Sequence, residues 1–67
     1  MQITVNGELR NVSERLTVAD LLAQLDLTPA RVAVEVNEEV VSRDAYARDT
    51  LAEGDRVEIV HFVGGGV

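Results

Sequence analysis

The chain is expected to fold as a single α+β domain in which a mixed sheet of four to five strands packs on one main helix. Three observations lead there. Alternating β-branched residues recur near both ends and in the middle of the chain, only one segment has the three-and-four spacing of an amphipathic helix, and the reversals between them carry Asn-Gly or Gly-Asp pairs. At 67 residues the chain makes one small domain, which buries only about 60 % of its unfolded surface. A deep, enclosed active site of its own is not expected.

Each element has a local reason. Ile3 and Val5 alternate with Gln2, Thr4 and Asn6, giving a first strand over residues 2–6 with one buried face. Asn6-Gly7 is the strongest short hairpin signal, because both residues tolerate the positive φ of a type I′ turn. The second strand then covers about residues 8–12. Thr17 places a hydroxyl N-cap three residues before the Asp20 carboxylate, while Leu16 and Leu21 stand where a hydrophobic staple would close. The helix that starts there carries Val18, Leu21, Leu22 and Leu25 in one stripe and is ended by residues 26–29.

Val32, Val34 and Val36 alternate over residues 32–37, predicting a central strand. Asn37, Glu38 and Glu39 turn the chain, Val40 and Val41 form a short strand, and Ser42 caps one helical turn through Tyr46. Glu53-Gly54-Asp55 gives a further turn before a last strand over residues 56–62. Along that strand Val57, Ile59 and His61 point one way and Glu58, Val60 and Phe62 the other. If the first set faces the helix, Val60 and Phe62 are exposed, and with Val63 they form a docking face for protein partners. Scattered apolar surface residues are also normal, and Phe62 could fold back over the sheet edge.

The order strand, strand, helix, strand, short strand, strand describes the β-grasp, or ubiquitin-like, arrangement. The expected division is a folded domain over residues 1–63 and a flexible glycine tail over residues 64–67. Gly64, Gly65 and Gly66 lack a Cβ, so they can lie extended in a tunnel too narrow for branched residues. An ordinary disordered terminus is the simpler reading of the tail taken alone.

Composition narrows the function. The net charge is −6, from 12 acidic and 6 basic residues. Such a charge repels phosphate backbones and anionic lipid, so neither nucleic acid nor a membrane is an expected partner. It favours encounter with a basic protein. The absence of Cys removes thiolate chemistry and disulfides and is compatible with a reducing cytoplasm. The start of the chain lacks the basic and apolar blocks of a signal peptide, and no stretch approaches membrane-spanning length. All six basic residues are arginines, leaving no lysine amine to attack an activated carboxyl group on the same molecule.

Other candidates carry little chemistry. His61 is the one histidine and has no acid or nucleophile beside it in sequence, so it reads as a surface residue and not a general base. Glu38, Glu39, Asp44, Asp49 and Asp55 lack calcium-loop spacing, so no metal site is expected. Tyr46 is expected to cover the core with its ring and keep its hydroxyl in water. Asn6, Gly7, Asn37 and Gly54 read as turn formers.

The stretches Val36-Asn37-Glu38-Glu39-Val40-Val41-Ser42-Arg43, Gly54-Asp55-Arg56-Val57-Glu58-Ile59-Val60 and His61-Phe62-Val63-Gly64-Gly65-Gly66 resemble the ThiS family, the small sulfur carriers of thiamine biosynthesis. The likeness runs from Gln2 to Gly66. It implies a protein co-substrate and not an enzyme, with no catalytic residue and no bound cofactor of its own. A ubiquitin-activating-type, ThiF-like adenylyltransferase would use ATP to adenylate the Gly66 carboxylate. A sulfur donor such as a cysteine desulfurase would then supply the atom that makes a thiocarboxylate, and a ThiG-like thiazole synthase would take it into the thiazole ring. The chain has neither a P-loop nor a GxGxxG of its own, so the geometry for acyl-adenylate formation has to come from the partner.

One residue departs from the family pattern. Members end on glycine, whereas Val67 comes after Gly66 here, and a β-branched terminal residue should crowd the tunnel and the adenylate. The expectation is that a peptidase removes Val67; a partner that tolerates it, or a carrier that has lost activity, are the other readings. The alternatives to a thiazole sulfur carrier are a carrier like the small subunit of molybdopterin synthase, a ubiquitin-like tag joined to lysines through Gly66, and a binding module with an idle tail.

Overall fold

A computed structural model describes residues 1–62. Strands β1 (Gln2–Val5), β2 (Glu8–Asn11), β3 (Val32–Val36), β4 (Glu39–Val41) and β5 (Arg56–His61) form one sheet in the order β2-β1-β5-β3-β4, and helix α1 (Val18–Gln24) packs on one face of it. The expected α+β sheet on one main helix is borne out, with five strands. Only β1 and β5 run parallel; the β1–β2, β3–β5 and β3–β4 pairs are antiparallel.

The first hairpin obeys its turn chemistry. Asn6 and Gly7 take φ of 51° and 85°, the paired positive values of a type I′ reversal, and set Val5 opposite Glu8. The β3–β4 hairpin uses the same device without glycine: Asn37 and Glu38 take φ of 53° and 72°. That turn is therefore one residue shorter than expected, and Glu39 pairs with Val36 as the first residue of β4.

Helix α1 begins where the hydroxyl and carboxylate allow. Asp20 N–H donates to Thr17 Oγ1 at 3.0 Å, and Thr17 N–H donates to Asp20 Oδ2 at 3.1 Å, closing a reciprocal capping box. Leu16 and Leu21, the two ends of the staple, are both buried. Replacing Thr17 with Ala should cost about 1 kcal/mol and lower the melting temperature by about 4–8 °C, read by circular dichroism. The last helical residue is Gln24, Leu25 is the cap, and Asp26 at φ 61° turns the chain out of the helix, the first of the residues expected to end it.

The remaining turns differ in detail from the expectation. Pro29–Arg31 is a 3₁₀ turn leading into β3, a natural place for proline because its fixed φ suits a first helical position. Ser42 does precede a 3₁₀ turn, Arg43–Ala45, but its side chain makes no capping bond; main-chain bonds hold that turn, with Arg48 Nη1 donating to Asp44 carbonyl at 3.3 Å. Gly54 takes φ 84°, and its N–H donates to Gln2 carbonyl at 2.7 Å.

Alternation along the strands supplies the core. Ile3, Val5, Val32, Val34, Val57 and Ile59 meet Val18, Leu21 and Leu22 of the helix, and Leu16, Tyr46 and Leu51 close the sides. Tyr46 is 4 % exposed and thus covers the core as expected. No polar side chain is buried among the described residues. Among the described residues no helix covers the opposite sheet face, so the outward-facing residues of the central strands meet solvent.

Candidate functional site

The residues of interest gather at the end of β5. This strand is the middle of the sheet, with β1 on one side and β3 on the other. It is held to its last residue: Val32 stands opposite His61, and Phe62 N–H donates to Arg31 carbonyl at 2.8 Å. On the other side β1 pairs with β5 only at Thr4–Arg56 and Val5–Val57. Beyond them Asn6 takes over. Its Oδ1 accepts from Ile59 N–H at 2.8 Å and its Nδ2 donates to Ile59 carbonyl at 3.2 Å, so one side-chain amide imitates a rung of ladder after the main chain has turned away.

Asn37 does similar work at the start of the strand. Its Oδ1 accepts from Arg56 N–H and its Nδ2 donates to Asp55 Oδ1, both at 3.0 Å, while Asp55 Oδ2 accepts from Ala52 N–H at 2.8 Å. From sequence these asparagines read only as turn formers. Their second role was hidden because nothing in a linear pattern says that a turn will lie against the fifth strand, 53 residues away for Asn6 and 19 for Asn37. The result is a strand fixed at both ends, from Arg56 to Phe62.

Alternation along β5 is as expected. Val57 and Ile59 are 1 % and 9 % exposed, whereas Val60 and Phe62 are 62 % and 52 % exposed. Val60 stands directly opposite Ala33 on the open face, so an apolar patch of Ala33, Val60 and Phe62 sits at the end of the strand. Phe62 does not fold into the core. One rung back, Glu35 and Glu58 are directly opposite each other, and both are exposed. Like charges so placed destabilise a sheet, and they add an acidic rung to the apolar patch.

His61 lies on the helix side, opposite Val32, and is exposed. It shares a shallow groove with Asn6, Glu8, Arg10 and Leu27. Among the described residues no three His, Asp or Glu side chains come together to hold a metal ion, and no helix is long and apolar enough to cross a membrane. Val63, Gly64, Gly65, Gly66 and Val67 lie outside the described residues, so of the expected docking and tail residues only Val60 and Phe62 are placed.

Comparison with known proteins bears directly on this strand and on the glycines beyond it. The model of the ThiS family matches residues 3–66, the glycines included. A thiazole synthase of Paramagnetospirillum magneticum is 46% identical over 66 residues, a match that takes in 98% of this chain but 20% of the other. The chain thus spans only a fifth of the length of that relative. The sulfur carrier protein ThiS of Bacillus subtilis is 46% identical over 50 residues, covering 75% of this chain and 76% of its own. The crystal structure of the thiamine biosynthesis protein ThiS from Geobacter metallireducens superposes with a TM-score of 0.83 at 43% identity, over 98% of this chain and 100% of that one. The fold, the β5 strand and the glycine run therefore occur together in this chain as a member of the ThiS family.

Proposed function

We propose that the chain is a sulfur carrier protein of thiamine biosynthesis, acting through a C-terminal thiocarboxylate on Gly66. The observation that carries the reading is the anchored β5 strand, which leads through the exposed Val60 and Phe62 straight into the glycine run matched by the family model. A rigid root and a slender tail suit delivery of a carboxylate into a partner's site, because the entropy of placing the reacting group is then confined to the few residues that enter it. Gly64 and Gly65 thread the partner's tunnel, and Gly66 bears the reacting carbon.

Each step is written for a partner enzyme, since the chain contributes the acyl group. A carboxylate oxygen of Gly66 attacks the α-phosphorus of ATP, and pyrophosphate leaves. The terminal sulfur of a donor persulfide then attacks the acyl carbon and AMP leaves, giving an acyl disulfide. A thiol attacks the donor's sulfur in that disulfide, so that the thiocarboxylate leaves and the thiol and donor are left joined as a disulfide. A ThiF-like adenylyltransferase serves the first step and a desulfurase-type donor the second. Because relatives named thiazole synthase contain a segment like this one within a longer chain, the favoured acceptor is a ThiG-like thiazole synthase and not a molybdopterin synthase.

Incubating the activating enzyme and ATP with chains ending at Gly66 or at Val67, and measuring pyrophosphate release, tests this reading. Faster release from the Gly66 chain is expected. Equal rates would remove the need for trimming, and no release from either would overturn the carrier assignment.

Val60, Phe62 and Val63 are assigned to partner docking, with Glu35 and Glu58 favouring a basic surface. Phe62→Asp should weaken binding to the activating enzyme at least about ten-fold, the loss expected when an aromatic anchor worth about 1.4 kcal/mol or more is removed. Its melting temperature should stay within a few degrees of the wild type, because Phe62 is half exposed. A large loss of melting temperature would make Phe62 a core residue instead.

A further inference from the structure

Asn6 and Asn37 stand in the same kind of place, each the first residue of a tight reversal, at φ 51° and 53°, with its side-chain amide bonded to main chain on β5. The next residue differs: Gly7 after Asn6, Glu38 after Asn37. A glycine nitrogen has no neighbouring Cβ to hinder it, so it can close on the preceding side-chain carbonyl far more readily than the nitrogen of a larger residue. Asn6 is also exposed, so water reaches it.

We propose that Asn6 is a site of spontaneous deamidation, held in check while its amide is clamped to Ile59. Gly7 nitrogen attacks Asn6 Cγ and forms the new C–N bond of a five-membered succinimide. The Cγ–Nδ2 bond breaks, and ammonia leaves with the proton that Gly7 nitrogen gives up. Water then adds to either ring carbonyl and opens the ring to aspartate or isoaspartate. Nothing is oxidised or reduced, and water is the sole co-reactant.

The clamp opposes the first step. Oδ1 is held by Ile59 N–H at 2.8 Å and Nδ2 by Ile59 carbonyl at 3.2 Å, so Cγ cannot turn toward Gly7 nitrogen without breaking both bonds. The clamp also gives the product its consequence. A carboxylate at Asn6 still accepts from Ile59 N–H, but its second oxygen now faces Ile59 carbonyl, two acceptors where a donor and an acceptor met. Isoaspartate adds a carbon to the main chain of a reversal that has no slack. Either product weakens the last link on the β1 side of β5, three residues before Phe62. Deamidation would therefore act as an irreversible mark of age on the strand that leads into the tail. The inference goes beyond the carrier reading and does not rest on it.

The test is peptide mapping by mass spectrometry of the full chain held in mildly alkaline buffer, with and without urea. In urea Asn6 should convert faster than Asn11 and Asn37, and Gly7→Ala should slow it there, where folding plays no part. In native buffer conversion at Asn6 should be at least about ten-fold slower, since two hydrogen bonds must first open. Asn6→Asp, which makes the product directly, should melt lower than the wild type. Equal rates with and without urea would overturn the protective clamp, no preference for Asn6 in urea would overturn the site, and an unchanged melting temperature for Asn6→Asp would overturn the consequence.

Discussion

Ending the chain at Gly65, or replacing Gly65 with Val in a chain that ends at Gly66, is expected to abolish thiocarboxylate formation by the activating enzyme and leave the melting temperature unchanged. The two variants fail for different reasons. Ending at Gly65 withdraws the reacting carboxyl by one residue, up to about 3.6 Å of extended chain, and an attack that needs reacting atoms about 3–3.5 Å apart is very sensitive to that. The valine keeps the length but sets a β-branched side chain where only main chain fits. Neither touches the sheet, which is closed through Phe62 by main-chain bonds to β3 and the turn before it. Thiocarboxylate is read by intact mass after incubation with activating enzyme, ATP and a sulfur source. Full conversion of the Gly65→Val chain would contradict a narrow tunnel, and conversion of the chain ending at Gly65 would contradict Gly66 as the reacting residue.

Leu21→Ala is expected to remove most of the stability of the domain. Leu21 is fully buried at the centre of α1, in the core cluster shared by the staple residue Leu16 and the sheet. Truncating a buried leucine costs about 2–5 kcal/mol, the loss of transfer energy plus the cavity left behind. A chain of this length has only about 3–10 kcal/mol in total. The short helix offers little compensation, because seven residues do not form a stable helix in isolation. The melting temperature, monitored by circular dichroism, should fall by more than about 10 °C. A fall of only a degree or two would mean that α1 contributes little to holding the sheet.

The first set of variants probes the proposed reacting end and Leu21→Ala the core, and the sequence was legible to different depths in each. The Asn6-Gly7 reversal, the Thr17 cap and the inward set of Val57 and Ile59 could all be read locally, because each depends on residues within a few positions of one another. Glu38 was harder, since a glutamate at φ 72° obeys the neighbouring hairpin and not its own preference. The side-chain bonds of Asn6 to Ile59 and Asn37 to Arg56 could not be read, because they depend on which strands become neighbours. Nor could the Glu35–Glu58 pairing, which exists only in one register of β3 against β5.

For the site, Val60 and Phe62 were readable from alternation alone, and the structure leaves both exposed. The role proposed for the glycine run came from resemblance, because three glycines in a row carry no side-chain chemistry that a local pattern could reveal. His61 illustrates the converse. Its position next to the tail invites a catalytic role, yet it sits at the edge of an open groove with no acid–base chain leading to Phe62 among the described residues.

The most direct measurement is the intact mass of the protein taken from its own cells while they are making thiamine. One spectrum reports both the terminal residue and whether a carboxylate oxygen has been exchanged for sulfur. A population ending at Gly66 that carries sulfur is expected, beside the unloaded carboxylate form. A population that retains Val67 and contains no sulfur would contradict the carrier reading, and the chain would then be a member of the family that binds partners without carrying sulfur to them.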